Sequence, residues 1–148
     1  MSILEIEVPV DAPPERVWDV VSDPRNLPRW DRRISAVRGV PPDGLREGSR
    51  YTTEVRFMGA RAESQAEVLE LRPPAYARVR LKGVMDATIE TWVTADGAGR
   101  SLLRHRIDYR LPGGPFGELV AGAVRLLGAQ SLIRRGVLAQ KRQAESAS

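Results

Sequence analysis

The chain has no cysteine and one histidine, His105. The first absence removes disulfide frameworks and thiolate chemistry together. The second leaves too few imidazoles for a histidine-based metal site, so neither metal nor cofactor is expected, although carboxylate sites for hard cations stay formally open. No apolar run approaches the roughly 20 residues needed to cross a bilayer, so no stable membrane insertion is expected. The opening MSILEIEVPV carries Glu5 and no basic start, unlike a secretory signal, and the expectation is a soluble, cytoplasmic protein. A phosphate-cradling Gly-rich loop with a following Lys is missing, as is a G-x-S-x-G elbow. Nucleotide chemistry and hydrolysis by a serine nucleophile are thereby discounted.

At 148 residues, 42% hydrophobic and 28% charged, the composition is that of one globular domain spanning 1–148. The net charge of +4 invites a nucleic-acid reading, but residues 1–114 carry 18 basic and 17 acidic groups, and residues 115–148 carry 5 and 2. Only Lys82 and Lys141 are lysine, so the high pI partly reflects arginine's intrinsic basicity. Basic and acidic residues alternate, and there is no RNA-binding aromatic signature. No nucleic-acid partner is expected.

Seven segments read as strands. Ile3–Val10 sets Leu4, Ile6, Val8 and Val10 on one face. Further strands are expected over Ile34–Val40, Ser49–Met58, Arg61–Leu71, Ala75–Lys82, Asp86–Ala95 and Ser101–Leu111, in meander order and therefore antiparallel. Between the first two lies DAPPERVWDVVSDPRNLPRW. Proline suits a first helical turn, so a helix capped by Asp11 or Ala12 is expected, with Val17, Trp18 and Val21 on its apolar face. A second, shorter helix would be capped by Asp23. These two helices would bury Trp18 and Trp30 at the open end of a curved sheet or frame a cavity mouth. After Leu111, the apolar stripe Leu119, Ala123, Leu126, Gln130, Ile133 and Val137 predicts a long helix from about Pro115 to Arg142.

This order and several motifs resemble the START-like proteins of the SRPBCC superfamily, in the polyketide cyclase/dehydrase branch. The residues that carry the likeness are VPVDAPPERVWDVVSDPRNLPRWD, Arg46–Arg50, Val68–Pro74 (VLELRPP) and Tyr109–Gly114. The resemblance implies an α+β helix-grip fold. In it, a seven-stranded curved antiparallel sheet wraps a long C-terminal helix, with two short helices between strands 1 and 2 and a ligand cavity between sheet and helix.

By strand phase, Tyr51, Thr53, Phe57, Val79, Leu81, Ile89, Thr91, His105, Ile107 and Tyr109 face that cavity, joined by Leu126 and Gln130 from the helix stripe. Trp92 falls on the outer face or rim. His105 and Tyr109 share one face of the last strand and are read as adjacent groups roughly 7 Å apart. A lone histidine on an apolar face is commonly a satisfied core residue, and it can also act as a general acid or base beside a phenol. Buried Gln130 needs a polar partner or a ligand, and Gly122, Gly128 and Gly136 leave room on the same helix or allow close packing. Two functions stay open. One is a noncatalytic binder of a hydrophobic, partly oxygenated small molecule, such as a polyketide, isoprenoid or lipid. The other is a cyclase or aromatase using His105 and Tyr109. A protein-binding co-chaperone role is a third possibility, and a monomer or a homodimer would suit any of them.

Overall fold

The computed structural model describes residues 2–57, 59–83, 86–110, 118, 122 and 129–146. Alternation builds the sheet. In β1 (Ser2–Val10), Ile6, Val8 and Val10 are buried while Glu5 and Glu7 point outward. β2 (Ile34–Arg38), β3 (Arg50–Phe57), β4 (Ala60–Arg72), β5 (Tyr76–Lys82), β6 (Asp86–Ala95) and β7 (Ser101–Arg110) follow. Every pairing is antiparallel. The strand order is β1-β7-β6-β5-β4-β3-β2. The meander therefore runs only from β2 to β7, and β1 closes beside β7 instead of beside β2. β1 and β2 are opposite edges, and the chain must travel across the sheet between them.

The two short helices make that crossing. α1 (Pro14–Val21) buries Val17, Trp18 and Val20. Its cap is Pro13, extended at ψ 156, whose carbonyl takes the amides of Arg16 and Val17 at 3.1 Å each. Neither Asp11 nor Ala12 caps the helix as expected. The Asp11 amide is instead tied to Glu145 Oε2 at 2.9 Å, and the Ala12 carbonyl accepts from Ser101 Oγ at 2.7 Å. Asp23 does cap the next segment, a 3-10 turn at Pro24–Asn26 that runs into α2 (Leu27–Trp30). Its carboxylate accepts the Arg25 amide at 3.1 Å and the Arg25 guanidinium at 2.8 and 3.0 Å. These bonds hold the Asp23 carboxyl below its ordinary pKa.

Curvature has a local cause. The register shifts between Ile34 and Ala36 and between Val68 and Glu70, and an extra residue on one strand of a pair bends it. The second shift places Val68 and Leu71, three residues apart, on the same inner face opposite Val79 and Ala77. At the end of β5, Gly83 has φ +127, and a side chain there would collide with the Glu63 carbonyl and lie 2.9 Å from Ser64 Cα. Only glycine fits that close approach.

The described part of the C-terminal helix is α3 (Ala129–Ser146). Its expected start lies outside the described residues, and its end lies beyond the expected Arg142. The apolar stripe continues: Val137, Gln140 and Ala144 are buried and Ile133 packs against the core. Several bonds fasten its last turns. Arg16 Nε donates to the Ala144 carbonyl at 2.8 Å, Trp30 Nε1 to Gln143 Oε1 at 2.9 Å, and Lys141 Nζ to the Pro9 carbonyl at 2.7 Å. Gly136 faces the backbone of Trp30, where an added Cβ would make an ordinary 3.8 Å contact. No helix among the described residues is long and apolar enough to cross a membrane.

Candidate functional site

A cavity of about 80 Å³ lies between the short helices and the inner face of β3 to β6. Trp18, Val21, Leu27 and Trp30 line it from the helical side, and Tyr51, Val68, Leu71, Ala77, Val79 and Thr91 from the sheet. Strand alternation explains the second group, with Leu71 brought into phase by the bulge in β4: all are inner-face residues in register across neighbouring strands. Ser22, Pro24 and Leu45 complete the lining, so no charged side chain is among the described residues around it.

Beside it runs a buried polar chain. His105 is 8% exposed. Its Nδ1 lies 2.9 Å from Thr91 Oγ1 and its Nε2 lies 2.8 Å from Gln140 Oε1. A neutral ring with its proton on Nε2 satisfies both contacts, because Nε2–H donates to the amide oxygen and Nδ1 accepts from the threonine hydroxyl. Burial pushes the imidazole below its ordinary pKa, and the bond to Gln140 opposes this only in part. His105 is thus a neutral strut joining β6, β7 and α3.

Tyr51 differs. It is 8% exposed and lines the cavity, yet its hydroxyl makes no hydrogen bond among the described residues. Burial alone pushes its pKa up to about 12.

The expected site residues fall into several groups. Tyr51, Val79 and Thr91 line the cavity. Thr53 is buried next to it, with its hydroxyl 3.5 Å from the Ser64 carbonyl. Ile107 is buried in the core, while Leu81, Ile89 and Tyr109 are half-buried and do not border this cavity. Leu126 lies outside the described residues, as do Gly128 and the side chains of Phe57 and Gln130. The expected adjacency of His105 and Tyr109 is corrected by the register. His105 stands opposite Ile6 and Thr91, whereas Tyr109 stands opposite Ser2 and Ala87. Ile107 separates them on the shared face, which puts them about 13 Å apart along the strand. Trp92 is on the outer face, as expected, with its ring 5.4 Å from that of Tyr76.

Two kinds of residue escaped the sequence reading. Leu71 lines the cavity because of the bulge in β4, which no alternation pattern announces, whereas Val68 and Ala77 lie on the inner face by plain alternation. Gln140 did have a signal: it continues the stripe at three residues beyond Val137.

A family model described as polyketide cyclase/dehydrase and lipid transport matches residues 1–145. No curated protein matches the chain. Among solved structures, a protein from Thermus thermophilus superposes with a TM-score of 0.77 at 18% identity, covering 99% of both chains. A START superfamily protein from Mycobacterium smegmatis gives 0.70 at 16% identity, again over 99% of both. The Zhui aromatase/cyclase from Streptomyces sp. R1128 gives 0.65 at 18% identity, over 96% of this chain and 95% of its own.

Proposed function

The chain belongs to the polyketide cyclase/dehydrase and lipid transport family, and from that premise we propose that it binds a hydrophobic, partly oxygenated small molecule inside the fold. The observation that carries this reading is the cavity under the short helices, apolar on both sides and without a charged residue in its described lining. Apolar volume with a few fixed polar groups is what such ligands require. Acid–base catalysis is less well supported. A general acid or base must reach its substrate, but both His105 nitrogens are engaged by Thr91 and Gln140, and Tyr109 stands well away along β7.

Native mass spectrometry of protein purified without detergent tests the reading. The expected spectrum contains a population heavier by the mass of a small apolar molecule, lost as collision energy rises. A single unliganded species that excess hydrocarbon, ketone or lipid cannot shift would overturn it.

A further inference from the structure

The geometry points to Tyr51 as the group that holds the polar end of the ligand, and to an uncharged carbonyl as that end. This rests on the binding reading above and specifies its chemistry. Tyr51 sits on β3 opposite Ala66 and lines the cavity while buried. The residue is 8% exposed, and its hydroxyl makes no hydrogen bond among the described residues, so its proton is free for an acceptor placed in the cavity. The other sheet hydroxyl in the lining, Thr91, is already committed to His105. Tyr51 is therefore the sheet group in the lining with an unspent donor.

Three features define what would complete it. First, the phenol stays protonated across the physiological range, because burial pushes its pKa to about 12, so it offers a proton and calls for an acceptor. Second, the described lining holds no cation. A carboxylate or phosphate would be buried without a countercharge, which is far more costly than burying a neutral dipole. A ketone, aldehyde or ester carbonyl accepts one bond and brings no donor of its own. Third, the cavity measures about 80 Å³. A dry engineered cavity of about 150 Å³ takes the whole of benzene, so the space beside Tyr51 takes the carbonyl end of a ligand, such as an acetyl group, while the rest of its chain extends beyond this space.

The test compares 2-hexanone, hexanoate and hexane on the wild-type protein and on Tyr51→Phe, following the fluorescence of Trp18 and Trp30, which line the cavity. Wild-type protein should bind 2-hexanone about tenfold more tightly than Tyr51→Phe does, the factor corresponding to one neutral hydrogen bond, and should bind hexanoate more weakly than the ketone. Tyr51→Phe should leave the affinity for hexane unchanged and melt no lower than wild type because it removes an unpaired group. Equal ketone affinity in both proteins would overturn the assignment, as would hexanoate binding as tightly as the ketone. A Tyr51→Phe protein that melts far lower would also overturn it, by showing the hydroxyl to be structural. If hexane binds neither protein, the binding reading itself fails and the role of Tyr51 falls with it. If hexane binds both but the ketone gains nothing from the hydroxyl, only the Tyr51 assignment is lost.

Discussion

Thr91 and Trp92 are neighbours in sequence and stand on opposite faces of β6, and the surroundings of each show how this sheet handles polarity. Inside, Thr91, His105 and Gln140 form a chain of neutral groups with every ring nitrogen used. Outside, Trp92 lies between the Tyr76 ring, 5.4 Å away, and the Arg104 guanidinium, 4.8 Å from its centroid, while Arg72 covers Tyr76 at 4.6 Å. The Tyr76 hydroxyl donates to Glu90 Oε2 at 2.6 Å. Burial first, and then this carboxylate bond, push its pKa up to about 12. Charge is therefore kept to the face that water can reach. The inner face solves the same problem without charge, by closing hydrogen bonds between neutral side chains.

The largest consequence should come from the inner face. His105→Leu keeps much of the volume but leaves the Gln140 amide and the Thr91 hydroxyl without their ring partners. Each unsatisfied buried group costs about 1–3 kcal/mol, so the variant should lose about 3 kcal/mol in urea denaturation. Adding Gln140→Leu removes one of the orphaned groups, and the double variant should be more stable than His105→Leu alone. Losses that simply add would break the claim that His105 and Gln140 act as a pair.

A smaller effect should follow pH. The folded protein holds His105 below its ordinary pKa of 6.5, so the unfolded chain binds the proton more readily. The histidine's contribution is present in full above about pH 6.5 and declines as pH falls from there toward the folded pKa. Protonation leaves both contacts possible, since Nδ1–H can donate to Thr91 and Nε2–H to Gln140. What is lost is only the solvation of the charge, which makes the effect smaller than that of removing the ring. Urea midpoints should therefore decline on acidification below pH 6.5 in the wild type, and that limb should flatten in His105→Leu. An identical slope in both proteins would assign the decline to other groups.

How much of this was legible beforehand depends on the kind of signal. Strand alternation is written residue by residue, so the strands and the inward phase of Tyr51, Thr91 and His105 could be read directly. Proline and Asp23 likewise announced the short helices, because backbone chemistry at helix starts is local. The place of β1 beside β7 could not be read, since partner choice between strands is a long-range matter that alternation does not encode. The bulge at Val68 to Glu70 hid Leu71, whose phase counts as outward until an extra residue resets it. His105 was legible as buried, but its partner Gln140 sits on an element far away in sequence. Whether a buried histidine serves structure or chemistry is decided by that partner.

The smallest effect should come from the outer face, where the alternating charges of the sequence suggest a strong lattice. Glu5 Oε2 lies 3.2 Å from Arg104 Nη2, and Glu5 Oε1 lies 3.6 Å from Arg106 Nε. The second contact is an ion pair without a hydrogen bond, as Arg106 Nε is buried without a hydrogen-bond partner among the described residues. Glu5 keeps 48% of its side-chain surface, and both arginines keep 41%. Water and salt at that exposure screen most of the attraction, and ordering three long side chains offsets part of the remainder. Glu5→Gln should therefore cost about 0.5 kcal/mol or less, and the difference from wild type should shrink further in 1 M salt, where the screening length is about 3 Å. A loss as large as that of His105→Leu, or one that salt leaves untouched, would mean that the outer charges are held in surroundings as dry as the inner chain, and the contrast between the two faces of β6 and β7 would disappear.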